Sequence, residues 1–93
     1  MIAAMPQIHF TPNLTRHASC PPMEAAAGTV AELLSRYFEQ WPDVRGFVLD
    51  DQGHVRKHIR VFIDGRNLLD RARLSDPLNP DSEVHVFQAL SGG

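Results

Sequence analysis

Val30, Leu33, Leu34, Tyr37, Phe38 and Trp41 fall at i, i+3, i+4, i+7, i+8 and i+11, which lines six apolar side chains along one helical stripe. Thr29 stands just before the stripe as an N-cap, and Glu32 three residues later gives the spacing of a reciprocal capping box. Pro42-Asp43 predicts the end after about three turns. A helix with one such stripe cannot be stable alone in water; it must lie on an apolar surface supplied by the rest of the chain.

That surface is written in strand periodicity. In "PQIHFTPN", Ile8 and Phe10 alternate with His9 and Thr11, a short half-buried strand closed by Pro12-Asn13. A return strand is expected near Met23–Ala26, held to a sheet edge by Cys20-Pro21-Pro22. "GFVLDDQGHV" predicts two short strands around Asp51-Gln52-Gly53. In "HIRVFIDGRN", Ile59, Val61 and Ile63 face one way and Arg60 and Phe62 the other, and Asp64-Gly65 is a two-residue hairpin signal. "LLDRARLSDPLNPD" predicts one turn of helix followed by loop. A closing strand covers Glu83–Ala89, with Val84 and Val86 on one face and His85 and Phe87 on the other. One helix set against one face of a mixed sheet is an α+β layer structure.

Composition narrows the function classes. Ninety-three residues make one domain with a modest core. A net charge of −2 argues against nucleic acid as a partner, since phosphate neutralisation needs a basic excess. Arg56, Lys57, Arg60, Arg66, Arg71 and Arg73 form the one basic bias, either a solvated face or a patch for an acidic partner. Cys20 is the only cysteine, which excludes an internal disulfide and a cysteine-based zinc site. His54 and His58 would need a hairpin and a third ligand to hold a metal, so none is expected. The paired aspartates Asp50-Asp51 lack the spacing and closing glutamate of a calcium loop. No apolar run reaches a membrane span, and "MIAAMPQ" lacks the basic start of a signal peptide, so a cytoplasmic protein is expected.

The chain finishes "DSEVHVFQALSGG", a strand running directly into two glycines. With the "GTVAELL" helix start and the "HIRVFIDGRNL" strand and hairpin in this order, it resembles the ubiquitin-like β-grasp fold, and more narrowly the sulfur carriers of the ThiS/MoaD family. The resemblance covers about Ile8 to Gly93. It implies a β-grasp domain over residues 7–90 and a flexible tail at 91–93. It also implies that the first, last and third strands lie side by side. Ile8, Phe10, Ile59, Val61, Ile63, Val84 and Val86 would then face the helix, and His9, Arg60, Phe62, His85 and Phe87 the open side. Phe62 and Phe87, exposed together, would form an apolar partner site with Arg60, His85 and Leu90.

In the family, an E1-like adenylating enzyme uses ATP and magnesium to activate the terminal carboxylate, and sulfur then displaces AMP to leave a thiocarboxylate. By resemblance, Gly93 carries the sulfur and Gly92 gives the tail the slimness to thread a closed site. This chain would be a carrier rather than an enzyme, binding no cofactor itself. Its expected partners are the adenylating enzyme, a sulfur-acceptor synthase, and a sulfurtransferase or metalloprotease-type processing enzyme. The absence of any residue after Gly93 is part of that expectation. The acceptor pathway stays open among molybdopterin, thiamine, cysteine and siderophore synthesis. The rival readings keep the fold and drop the sulfur: a ubiquitin-like interaction module, or a modifier joined to lysines.

Overall fold

The computed structural model describes residues 4–10 and 21–88. The elements are β1 (Gln7–Phe10), β2 (Met23–Glu24), α1 (Val30–Gln40), α2 (Pro42–Val48), β3 (Ile59–Ile63), β4 (Arg66–Asn67) and β5 (Glu83–Gln88). The strands form one mixed sheet in the order β2-β1-β5-β3-β4. β5 is its centre, parallel to β1 and antiparallel to β3, as the family resemblance implied. Both of its edges are hydrogen-bonded, so the closing strand is held from two sides.

The strand parities divide the faces as expected. Ile8, Ile59, Val61, Ile63, Val84 and Val86 are buried and meet Val30, Leu33, Leu34 and Tyr37 of α1. Each fully buried aliphatic side chain here contributes about 1.5–3 kcal/mol of transfer free energy. Phe10 is partly buried and packs its ring 4.7 Å from that of Tyr37. The Tyr37 hydroxyl donates to the Pro21 carbonyl at 2.8 Å, which ties the approach to β2 onto the helix.

The first turn of α1 has all its donors satisfied. Glu32 N–H donates to Thr29 Oγ1, one arm of the expected capping box, and Leu33 N–H to the Thr29 carbonyl. Val30 and Ala31 N–H groups donate to the carbonyls of Asp76 and Leu74. The loop before β5 therefore serves as a backbone cap for the helix. Leu74 takes φ 54 to point its carbonyl there, and its side chain is buried.

One expectation is corrected. "GFVLDDQGHV" does not form two strands: Gly46, Phe47 and Val48 complete α2, and only an isolated Leu49–Val55 bridge remains of the pairing. Pro42 ends one helix and begins the next, because at N1 its missing N–H costs nothing. Val44 and Val48 then anchor α2 in the core. The turn of helix expected after Leu69 is present as a single α-turn, closed by Leu74 N–H to the Asp70 carbonyl and followed by loop. The Asp64-Gly65 hairpin forms as expected, with φ 51 and 86, the two positive angles of a type I′ turn. The expected turn at Pro12-Asn13, Cys20 and Ala89 lie outside the described residues. Among the described residues, no helix is long and apolar enough to cross a membrane.

Candidate functional site

Gly92, Gly93 and Leu90 lie outside the described residues, but the structure fixes the root from which they follow. β5 is described to Gln88, which pairs with Ile59 of β3. Residues 89–93 come directly after it, a length that can span at most roughly 18 Å.

Around that root the structure gathers the expected contact residues on the open face. Phe62 stands opposite His85, and Arg60 opposite Phe87, across the β3–β5 pair. The Phe62 and Phe87 rings lie 5.2 Å apart, tilted by 54°. They are half-buried rather than exposed as expected, because each ring covers part of the other. Arg60 and His85 are exposed. The result is a narrow aromatic ridge with a cationic flank.

The flank is part of the sequence's basic bias: Arg56, Lys57, Arg60 and Arg71 fold into one corner, while Arg66 lies on β4 beside the far end of β3. Arg71 Nη2 donates to the carbonyls of Arg56 and Ile59 at 2.7 and 2.8 Å, and Arg60 Nη1 donates to the Lys57 carbonyl at 3.0 Å. Burial, then the neighbouring Arg60 charge, pull the Arg71 guanidinium below its usual range. The described residues place no carboxylate at ion-pair distance from Arg56, Lys57, Arg60 or Arg71; the ion-pair contact they do contain is His9 Nε2 with Glu83 Oε1 at 3.8 Å. An acidic surface is the natural complement of such a corner.

Beside the corner, at the end of β5, an open cleft of about 410 Å³ is lined by Phe47, Arg56, Lys57, His58, Ile59 and Gln88, with the Gly46 backbone. Sequence reasoning missed it, having placed Phe47 in a strand. The ring, 38% exposed, offers apolar area beside the tail root. His54 and His58 have separate surroundings: the His54 N–H caps the Asp50 carboxylate in a turn, and His58 lines the cleft. Backbone N–H groups of His54, then of Gln52, hold the Asp50 carboxyl below its ordinary range despite some desolvation. It is a turn anchor.

No family model and no curated protein sequence matches the chain. Solved structures do. SAMP1 from Haloferax volcanii superposes with a TM-score of 0.78 at 21% identity, over 95% of this chain and 98% of that one. A chain of the Amycolatopsis orientalis BexX/CysO complex gives 0.78 at 15% identity, over 95% and 99%. Urm1 from Trypanosoma brucei gives 0.68 at 16% identity, over 100% and 99%. At these identities the likeness is one of fold. The chain has the ubiquitin-like β-grasp fold.

Proposed function

We propose that this β-grasp chain is a sulfur carrier of the ThiS/MoaD type, loaded at Gly93 by a separate adenylating enzyme. One observation carries the reading: the strand that runs into "ALSGG" is the doubly paired centre of the sheet. A rigid strand fixes the base, and a short diglycine tail supplies reach without side-chain bulk. The β-grasp neighbours include ubiquitin-fold sulfur carriers and modifiers, which supports the family without choosing the acceptor pathway.

The chemistry is acyl activation. A carboxylate oxygen of Gly93 attacks the α-phosphorus of ATP in line, and pyrophosphate leaves. Hydrosulfide supplied by a partner then attacks the acyl carbon, expels AMP and loses its proton, which leaves the terminal thiocarboxylate. ATP, magnesium and the sulfur source belong to those partners, and the chain acts as their co-substrate rather than as an enzyme. Docking falls to the ridge of Phe62 and Phe87, to Arg60 and His85 beside it, and to Leu90 on the tail. The BexX/CysO complex offers a precedent for a fold relative bound to a partner protein.

ATP–pyrophosphate exchange with the cognate adenylating enzyme tests the reading. Chain ending at Gly93 supports exchange. Chain with one residue appended, or with Gly93 deleted, does not, while its fold is unchanged. Equal exchange by the extended chain overturns the assignment. A second reading, conjugation to lysines, is favoured by the likeness to a small archaeal modifier protein. It predicts isopeptide-linked adducts carrying this C-terminus.

A further inference from the structure

The open face carries a second feature, on strands far apart in sequence. β1 and β5 pair in parallel register with His9 beside His85 and Gln7 beside Glu83. Period-two alternation puts His9, Glu83 and His85 on the same face. One donor atom from each lies within 4.8 Å of the other two. The imidazoles stack with centroids 4.9 Å apart and planes 17° from parallel, and Glu83 Oε1 stands 3.8 Å from His9 Nε2.

We propose that His9, Glu83 and His85 form a binding site for a divalent transition-metal ion of the zinc type on the open face of the sheet. The donor set decides the class. Two imidazole nitrogens and one carboxylate oxygen suit zinc and its neighbours, whereas calcium and magnesium require a shell of oxygens. All three ligands stand on the paired strands β1 and β5, so the backbone fixes their spacing before any ion arrives. Donors around a tetrahedral zinc lie ~3.4 Å apart, from bonds of ~2.0–2.1 Å. Closing to that distance requires the stacked rings to turn so that both lone pairs converge. His85 and Glu83 are exposed and the His9 side chain is one-third exposed, so rotation meets little packing. The competing partner of His9 Nε2 is Gln7 Oε1 at 3.3 Å, a weak hold. Three protein ligands leave a fourth position open to solvent. His85 is also the register partner of Phe62, so that position adjoins the aromatic ridge. The site is independent of sulfur chemistry at the tail.

Zinc titration of the full-length chain by calorimetry, with histidine side-chain NMR, tests the site. One equivalent should bind saturably, shifting the imidazole signals of His9 and His85 and leaving those of His54 and His58 in place. His9→Ala, His85→Ala and Glu83→Gln should each weaken binding by at least ~10-fold, since losing even an outer-shell partner of a metal ligand costs that much. Cys20→Ser should not weaken it. Absence of saturable binding overturns the proposal. So does binding that survives His9→Ala combined with His85→Ala, or that depends on Cys20. The NMR arm on the unmodified chain decides the matter even if a variant fails to fold.

Discussion

The Asp64 carboxylate accepts the buried Ser82 hydroxyl through Oδ2 at 3.0 Å, joining the β3–β4 turn to the start of β5. Its Oδ1 accepts the Glu83 N–H at 2.9 Å, and its own N–H donates to the Glu83 carbonyl. Asp64 also sits at φ 51, a conformation that aspartate and asparagine tolerate better than alanine. Asp64→Ala removes two accepted bonds and adds backbone strain, and should cost about 1–3 kcal/mol in urea unfolding. Asp64→Asn keeps one acceptor and the backbone tolerance, and should cost less. The reverse order would show that the turn does not depend on this side chain.

Asp76 holds the loop that caps α1. It is buried, and its two carboxylate oxygens accept the N–H groups of Leu69 and Asp70, both at 2.9 Å. Its backbone carbonyl receives the Val30 N–H of the helix. Asp76→Ala leaves two backbone donors unpaired and should destabilise the fold by about 1–3 kcal/mol. Hydrogen exchange should speed up first at Leu69 and Asp70.

Asp70 gives the acid limb of stability. Its carboxylate accepts the Ser75 hydroxyl, then the N–H groups of Arg73, Ser75 and Ala72, and its pKa falls from 3.8 to about 2. The folded state holds the charged form longer, so the unfolded chain takes up the proton first as pH falls. This contribution is therefore complete above 3.8 and is lost as pH drops from there toward about 2. Asp50, lowered for a similar reason, acts in the same direction. Thermal unfolding of Asp70→Asn should show a flatter decline between pH 4 and pH 2 than the unmodified chain. An unchanged decline would place the acid sensitivity elsewhere.

Much of this fold was legible because its periods are clean. Ile59, Val61 and Ile63, and again Val84 and Val86, alternate without interruption, and the stripe from Val30 to Tyr37 matches one helix face. α2 was hidden because it is seven residues long, holds Gly46 and two β-branched valines, and offers only one i, i+4 apolar pair, Val44 and Val48, as a helical signal. Its helix rests on Pro42 at N1 and on burial of Val44 and Val48, which are tertiary facts. The parities, with the strand order that the resemblance implied, put His9 and His85 on one face; their register and the convergence of Glu83 with them came from the structure. The cleft at Phe47 needed α2 to be in place. The half-burial of Phe62 and Phe87 needed their rings to meet.

The aromatic ridge should dominate docking. Phe62→Ala together with Phe87→Ala should weaken affinity for the adenylating enzyme by about 2 kcal/mol or more, as central aromatic anchors do. The pair packs on the open face, away from the main core, so the fold should survive with a modestly lower melting temperature. Unchanged affinity would move the interface to the cationic corner, where Arg60→Ala and Lys57→Ala would then carry the loss.

The central claim is that Gly93 accepts sulfur. Intact-mass analysis of the chain after incubation with ATP, a sulfide donor and the cognate adenylating enzyme measures this directly. The account predicts replacement of one C-terminal oxygen by sulfur, strictly dependent on ATP. A chain whose mass stays unchanged while that enzyme loads a known carrier would contradict it.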